Sequence, residues 1–364
     1  MESSRLIMFE GLHGTGKSTN SHFMLKQLQL NKVPTKWIHE VARPHPILFF
    51  DEVSLTYNEY DTFIKTNPHT EQILKQIAVF RKNTVGIDLL EIEWNYVDVV
   101  GEAAFQFLKE FDVMKFSLDK YIDVVIEKWA FFIESILNKN EVYILDSGIF
   151  QYQIFTFMLK NVPYSALQSF IQKLIGIIKP LNPKLIYFYR NNVEDTIIFL
   201  EKNRGICFLE GIGERDKSQP YYSDKPKGAE GYKCFLRDYA NVAKKLFDLV
   251  DCLKLSIEIT NQDWRAYENT VLSFCGIERK SYPNILPLNG IYKNEALNYE
   301  IEIKELTLID PRGGKRVLTP KSDCEFYVEC LPTVLSFNDL DKVITSGGQI
   351  CERWTTLGTT FVRV

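Results

Sequence analysis

The segment 6–19, LIMFEGLHGTGKST, constrains the fold more than any other part of the sequence. A short apolar run ends at Gly11, a polar loop follows, and apolar residues then recur at helical spacing after Gly16. Gly11, Gly16, Lys17 and Ser18 match the pattern G-x-x-x-x-G-K-[ST]. A chance glycine turn is the alternative reading. The position between a predicted strand and a predicted helix favours a phosphate-binding loop, because small residues there let backbone N–H groups surround phosphate oxygens.

The predicted nucleotide contacts lie in this loop and in the first turn of the helix. They are Gly11, Gly14, Thr15, Gly16, Lys17, Ser18 and Thr19. Lys17 would bridge the β- and γ-phosphates of ATP, and the Ser18 hydroxyl would ligate Mg²⁺. His13 is interpreted as a variable loop side chain rather than as a catalytic base. ATP and Mg²⁺ are therefore the expected cofactors.

The rest of the N-terminal region predicts an α/β fold. Four further short apolar runs, in 35–41, 141–148, 183–190 and 254–260, alternate with helical patterns. This alternation predicts a five-stranded parallel sheet flanked by helices. An aromatic-rich insertion at about 57–138 is predicted to be largely helical, and the polar, Gly- and Pro-rich segment at about 205–231 is predicted to be a lid loop.

The pattern changes after about residue 282. The segments NYEIEIKELTLID and KRVLTP alternate apolar and polar residues around a Pro/Gly turn, as antiparallel hairpins do. We therefore predict two domains, 1–282 and a smaller antiparallel β domain at 283–364, joined through YPNILPLNG. A chain ending near residue 282 is expected to fold by itself and to bind nucleotide.

Composition limits the functional classes. The 364 residues carry a formal net charge of −4, which argues against general nucleic-acid or anionic-membrane binding. The seven cysteines are scattered, odd in number and without a C-x-x-C pair, as expected of reduced thiols in a cytoplasmic protein. Neither a signal peptide nor a membrane-spanning run is apparent. The expected partner is a small-molecule phosphoryl acceptor, and a homodimer is possible.

The opening FEGLHGTGKST resembles thymidylate kinases and their relatives, the deoxynucleoside kinases. In these enzymes the first strand runs directly into Glu-Gly and the phosphate loop. The likeness continues in layout over about residues 1–280, with an acidic residue after the second and third strands and an arginine-ended helix before the lid. The resemblance implies a P-loop NTPase fold and transfer of the γ-phosphate of ATP to a nucleoside or nucleotide.

The resemblance places Glu40, in HEVARPHP, at the position of the family's acidic base. Val41 stands where deoxynucleoside kinases have proline. A carboxylate here can accept the proton of an acceptor hydroxyl as that hydroxyl attacks phosphorus. A salt-bridged surface glutamate is the alternative. Arg43, in the same loop, could pair with an anionic acceptor.

At the end of the third strand the relatives carry Asp-Arg or Glu-Arg, with the arginine on phosphate. Asp146 matches the acidic position and could hold Mg²⁺ through water, but Ser147 and Gly148 follow it, so the arginine is missing. This departure leaves the acceptor class open. The alternative for Asp146 is that it caps the next helix together with Ser147.

Arg204, at the start of the predicted lid, completes the catalytic candidates Lys17, Glu40 and Asp146. Kinases of this type use lid arginines to neutralise charge on the transferring phosphoryl group. A solvated surface arginine is the alternative.

These features predict an ATP- and Mg²⁺-dependent small-molecule kinase acting on a nucleoside, a nucleotide or a similar hydroxyl-bearing acceptor. The alternative is a nucleotide-dependent switch or NTP hydrolase that uses the C-terminal β domain as a binding module. The long insertion and the predicted lid favour the kinase, because exclusion of water prevents wasteful hydrolysis of ATP.

Overall fold

The computed structural model describes residues 4–49, 51–282, 285–339, 341–347, 349–350 and 356–364. Its strands, in chain order, are β1 Leu6–Gly11, β2 Thr35–Ile38, β3 Ala42–Arg43, β4 Glu52–Thr56, β5 Val79–Phe80, β6 Thr84–Asp88, β7 Val142–Asp146, β8 Lys184–Tyr189, β9 Leu253–Glu258, β10 Gly290–Asn294, β11 Tyr299–Lys304, β12 Thr307–Ile309, β13 Lys315–Pro320, β14 Glu325–Val328, β15 Thr333–Asp339, β16 Lys342–Gly347, β17 Gln349–Ile350 and β18 Thr360–Arg363. Its α-helices are α1 Lys17–Leu30, α2 Tyr57–Thr66, α3 Glu71–Ile77, α4 Leu89–Asn95, α5 Val97–Val100, α6 Glu102–Lys109, α7 Leu118–Ile136, α8 Gln151–Leu159, α9 Tyr164–Ile178, α10 Val193–Arg204, α11 Ile206–Asp216, α12 Gly228–Leu249 and α13 Trp264–Cys275.

Five strands form an all-parallel sheet in the order β2-β7-β1-β8-β9. The central strand β1 is buried along its whole length, as expected for an apolar run covered on both faces. Phe9 pairs with Asp146 on one side, and Gly11 pairs with Phe188 on the other. The carboxyl ends of β1 and β7 therefore lie side by side. The predicted five-stranded parallel sheet with flanking helices is confirmed.

The C-terminal strands close into an antiparallel barrel in the order β10-β11-β12-β13-β14-β15-β16-β18. Its interior is packed with apolar side chains, which are Tyr292, Ile301, Ile303, Leu308, Leu318, Phe326, Val328, Leu335, Phe337, Val343 and Phe361. The prediction of an antiparallel β domain is confirmed, and the structure adds that the sheet is closed. Pro283 and Asn284 of the predicted linker lie outside the described residues.

The barrel and the parallel sheet belong to one compact unit, which contains residues 1–43, 140–167 and 181–364. Tyr327 and Val334 of the barrel lie in the same buried apolar cluster as Ile7, Phe9 and Met24. The domain boundary near residue 282 stays a prediction. The shared cluster nevertheless argues against the expectation that the first 282 residues fold by themselves, because removal of the barrel would expose part of this core.

Residues 44–139 and 168–180 form a second compact unit. Helices α2 to α7 agree with the predicted helical insertion, but β4, β6 and β5 form a three-stranded antiparallel sheet that the sequence analysis did not predict. These strands have five residues or fewer, and β6 contains Gly86. Strands this short carry too little alternation to be distinguished from loops.

The second unit contains a buried ionic cluster. Glu52 accepts hydrogen bonds from both Arg81 and Lys128, and all three side chains are buried. The Lys128 ammonium also lies 4.1 Å from the centre of the Phe49 ring. Burial lowers the pKa of Lys128 to about 8, although the Glu52 carboxylate opposes this shift.

The predicted lid loop at 205–231 is largely helical, which corrects the secondary structure expected there. Helix α11 covers Ile206–Asp216, and α12 begins at Gly228. A Cβ atom on Gly213 would lie 2.2 Å from the Gly228 carbonyl oxygen. The glycines that suggested a loop instead permit two helical segments to approach closely.

Candidate functional site

The glycine-rich loop between β1 and α1 has a backbone that larger residues could not adopt. A Cβ atom on Gly11 would lie 2.5 Å from the Phe188 carbonyl oxygen. Gly16 caps the N-terminus of α1 with φ of +84°, and a Cβ atom there would lie 2.8 Å from the Trp264 ring. Neighbouring atoms and positive φ thus fix glycine at both positions.

Hydrogen bonds inside the loop hold its shape. The Thr15 hydroxyl donates to the Leu12 carbonyl oxygen at 2.7 Å, and the Lys17 ammonium donates to the same oxygen at 3.1 Å. No acidic side chain lies in the first turn of α1, and no side chain caps its N-terminal amides among the described residues. The start of this helix therefore presents backbone N–H groups and the Lys17 charge, a combination that binds anions.

Asp146 ends β7 beside the loop and is completely buried. Among the described residues neither of its carboxylate oxygens has a hydrogen-bond partner, and the His39 Nε2 atom lies 3.6 Å from Oδ2. Burial and the charge of Glu40 raise the pKa of Asp146, while Lys17 and the Ser18 hydroxyl act against this rise. A buried carboxylate without partners is costly, so the arrangement calls for a cation or a proton at this position.

Glu40 follows β2 and accepts a hydrogen bond from the Gln151 side-chain amide at 3.1 Å. Burial alone would raise the pKa of Glu40, but the positive charge of Lys17, with smaller contributions from the nearby imidazoles and a hydrogen bond from the Ser147 hydroxyl, outweighs it, so the pKa is lowered. Glu40 is therefore ionised at neutral pH. This environment differs from that of the salt-bridged surface glutamate considered as the alternative.

Glu10, which the sequence analysis did not assign, organises the turn after Asp146. Its Oε1 atom accepts backbone N–H bonds from Gly148, Ile149 and Phe150 at 3.0, 2.7 and 3.0 Å, and its Oε2 atom accepts one from Gln151 at 3.1 Å. The carboxylate of β1 thus caps helix α8 from a distant part of the chain. The sequence signal was a carboxylate inside an otherwise apolar buried strand.

A cavity of about 500 Å³ opens at the loop, a volume within the range of small-molecule sites. Among the predicted residues it brings together Gly14, Gly16, Lys17, Ser18, Thr19, Glu40 and Arg204. The other lining residues are His13, Phe199, Asn203, Trp264 and Cys330. Trp264 and Cys330 were not predicted, because both come from distant segments that only the fold brings to the loop.

The remaining predicted residues do not line this cavity. Gly11 packs against the Phe188 carbonyl oxygen, and the Thr15 hydroxyl donates a hydrogen bond within the loop. Asp146 is buried near Ser18 and Glu40. Arg43 is buried in β3, whose backbone pairs with β17. The structure therefore does not place Arg43 with the other candidates.

Arg204 and His13 both line the cavity. Arg204 ends α10, and its guanidinium carbon lies 4.7 Å from the centre of the Phe208 ring. His13 Nδ1 lies 2.8 Å from the Tyr232 hydroxyl, in a hydrogen bond. Burial, with the charge of Lys17, lowers the pKa of His13, so its imidazole is neutral at pH 7. His13 is thus a neutral polar residue in the wall of the cavity. The sequence analysis interpreted it as a variable loop side chain and did not predict this position.

Among the described residues, no group of three or more His, Cys, Asp or Glu side chains is arranged to hold a metal ion. An ion at Ser18 and Asp146 would need further oxygen ligands, such as phosphate oxygens and water. No helix in the described part of the chain is both long and apolar enough to cross a bilayer.

Comparison with known proteins does not identify a family. The chain matches no protein-family model, and no curated protein shows significant sequence similarity to it. The functional argument therefore depends on the residues and geometry of the site itself.

Proposed function

We propose that this protein is an ATP- and Mg²⁺-dependent small-molecule kinase that phosphorylates a hydroxyl group of a nucleoside, a nucleotide or a similar acceptor. One observation carries the proposal. The cavity at the glycine-rich loop is lined by Lys17, Ser18 and Thr19 at one helix N-terminus, together with the ionised carboxylate of Glu40. Phosphate-binding groups and a base thus share one small-molecule cavity.

The phosphates of ATP would lie against the N-terminal amides of α1. Lys17 is only 6% exposed, and its ammonium is held by the Leu12 carbonyl oxygen within the loop. It would exchange this neutral partner for the β- and γ-phosphate oxygens, to which charge-assisted hydrogen bonds are stronger. The Trp264 and Phe199 rings on the cavity wall offer apolar surface for a planar base.

The residues near the loop also fit Mg²⁺. Asp146 has two buried carboxylate oxygens without a hydrogen-bond partner among the described residues, and the nearby Ser18 hydroxyl lowers its pKa. When bound there, Mg²⁺ would neutralise negative charge on the phosphates. Ser18 would contact the ion directly, and Asp146 would hold it directly or through water.

Glu40 is the proposed base. It is ionised, its orientation is set by the Gln151 amide, and it lines the same cavity as Lys17. From this position it would accept the proton of the acceptor hydroxyl as the oxygen attacks the γ-phosphorus. The proton moves to the Glu40 carboxylate, and the bond from the γ-phosphorus to ADP breaks. Arg204, at the cavity wall, would compensate charge on the transferring group.

The decisive experiment is a screen of nucleosides, nucleotides and other hydroxyl-bearing small molecules with ATP and Mg²⁺, read by mass spectrometry as added phosphoryl groups. The Lys17→Ala variant is the negative control. The Glu300→Gln variant is a matched control for Glu40→Gln, because Glu300 is exposed and, in the described part of the chain, its carboxylate forms an ion pair with Lys293.

We expect Glu40→Gln to bind ATP normally and to lose transfer to the acceptor, whereas Glu300→Gln keeps both. ATP hydrolysis at a rate that no acceptor changes would favour a hydrolase or switch instead. Absence of measurable ATP binding would refute the kinase proposal.

A further inference from the structure

The C-terminal barrel packs directly on the helix that begins at the glycine-rich loop. Tyr327 of β14 is buried, its ring lies 4.7 Å from the His22 ring, and its hydroxyl lies 3.2 Å from the Gln29 side-chain amide. Val334 of β15 joins Met24 in the same buried cluster. One face of α1 is therefore covered by the barrel.

The burial pattern of α1 agrees with this arrangement. Polar and apolar residues alike are buried along the helix, including Ser21, His22, Lys26 and Gln27. Met24 lies in one buried cluster with residues of the parallel sheet, the Ser21 hydroxyl accepts a hydrogen bond from the Trp37 indole, and the Gln27 amide donates to the Lys280 carbonyl oxygen. Because close-packed interiors deform little, a helix enclosed in this way cannot shift without displacing its neighbours.

The turn between β14 and β15 reaches the candidate nucleotide cavity itself. Cys330 lines the cavity together with Ser18 and Thr19. Burial raises the pKa of the Cys330 thiol to about 11, with Asp146 and Glu329 contributing in the same direction. The thiol is therefore neutral at pH 7 and leaves this wall uncharged beside the phosphate-binding residues.

The barrel fixes the position of this turn. The Glu329 amide donates to the Val317 carbonyl oxygen at 2.6 Å, and the Glu329 carboxylate accepts from Arg316 at 3.0 Å. A Cβ atom on Gly347 would lie 2.1 Å from the Pro332 carbonyl oxygen, so β16 touches the end of the turn. The turn 329–332 is thus part of a rigid barrel rather than a free loop.

We infer that the barrel is a working part of the nucleotide site: its turn 329–332 forms one wall of the cavity, and β14 supports the phosphate-binding helix. This inference rests on the proposed function, since it assigns the barrel to the same cavity. The barrel then acts as a positioning element that sets nucleotide affinity, and Cys330 is the residue through which it faces the ligand.

The first test labels the cysteines of the intact wild-type protein with methyl methanethiosulfonate, with and without a non-hydrolysable ATP analogue and Mg²⁺. Cys330 and the exposed Cys324 lie on one tryptic peptide, 322–342, so Cys324 is an internal control. We expect bound nucleotide to slow labelling of Cys330 by about threefold or more and to leave Cys324 unchanged, because reaction requires an accessible thiolate. Equal labelling of Cys330 at saturating nucleotide would overturn the inference.

The second test compares Cys330→Trp with Cys324→Trp, which places the same side chain at an exposed cysteine of the barrel outside the cavity. Indole at position 330 would fill part of the cavity, so we expect Kd and KM for ATP to rise about tenfold or more with little change in kcat at saturation. Cys324→Trp should stay within about twofold of wild type, because Cys324 is exposed and does not line the cavity. Wild-type affinity in a folded Cys330→Trp protein would overturn the inference.

The two tests separate this inference from the proposed function. Wild-type protein that binds no nucleotide would refute both. Wild-type protein that binds nucleotide, with Cys330 unprotected and Cys330→Trp unaffected, would refute only the role of the barrel. If Cys330→Trp does not fold, the labelling result decides alone.

Discussion

Replacement of Glu10 by glutamine should destabilise the protein and disturb the site at the same time. The buried carboxylate holds four consecutive backbone N–H groups, from Gly148 to Gln151, and so fixes the turn that follows Asp146. A glutamine side chain has nearly the same shape, which isolates the effect of charge and of acceptor number. Its carbonyl oxygen can take the place of Oε1, but its NH₂ group would face the Gln151 amide.

The expected cost follows from these bonds. Three N–H bonds to Oε1 change from charge-assisted to neutral, a loss of about 1 kcal/mol each. The Gln151 amide loses its acceptor, which costs about 2 kcal/mol more. Part of this is recovered because glutamine avoids burying a charge, the effect by which burial raises the pKa of Glu10. We expect a net loss of about 2–3 kcal/mol in the free energy of unfolding.

The assay is thermal unfolding followed by circular dichroism, with Glu300→Gln as control. For a unit of this size the loss corresponds to a decrease in Tm of about 5–10 °C. The control should change Tm by no more than about 2 °C, since exposed ion pairs contribute little. Nucleotide affinity in the presence of Mg²⁺ should also fall for Glu10→Gln. A Tm within the range of the control would refute the reasoning that the Glu10 carboxylate holds this turn.

Lys17→Ala should reduce phosphoryl transfer by more than about 100-fold without lowering Tm, because the proposed role of Lys17 is to bind the phosphate oxygens of ATP. Near-normal turnover in a steady-state assay would contradict this role. Asp146→Asn should weaken the Mg²⁺ dependence of nucleotide binding, measured by calorimetry, and should leave Tm equal or higher, since burial and the Glu40 charge already disfavour the ionised form of the Asp146 carboxyl. A lower Tm with an unchanged Mg²⁺ response would indicate a structural role. Burial lowers the pKa of Lys128 to about 8 from 10.5, so the unfolded chain binds more protons than the folded chain between pH 8 and pH 10.5. As the pH rises through this interval, the Tm of the wild-type protein should therefore rise relative to that of Lys128→Met. A difference in Tm that stays constant with pH would show that Lys128 does not titrate there. A chain ending at residue 282 should aggregate or bind nucleotide at least about tenfold more weakly than the full chain, because α1 loses its apolar cluster with Tyr327 and Val334. Wild-type nucleotide affinity of the shortened chain in a titration would contradict this prediction.

The candidate site could be predicted where its residues are close in sequence. Gly14, Gly16, Lys17, Ser18 and Thr19 occupy one short loop and one helix turn, so their spacing alone brings them to one place. Glu40 follows β2 and Asp146 ends β7, and parallel strands place such residues at one edge of a sheet.

Prediction failed where residues come together only through long-range packing. Glu10 contacts a turn nearly 140 residues away, and Trp264 and Cys330 reach the cavity from α13 and from the barrel. Nothing in their local sequence indicates a shared cavity. Arg43 is near Glu40 in sequence and buried in β3, but it is not among the residues that line the cavity, so its role stays a prediction.

The periodic features of the protein can be read from its amino-acid sequence. Short apolar runs specify the five parallel strands, alternating residues specify the C-terminal antiparallel strands, and the glycine pattern specifies the loop before α1, because each depends on short-range spacing. Three features emerge from the folded chain instead: residues 206–216 are helical, the C-terminal strands close into a barrel, and this barrel covers α1 and reaches the cavity. These features depend on which surfaces exclude water against each other, and that is a property of the folded chain rather than of any local pattern.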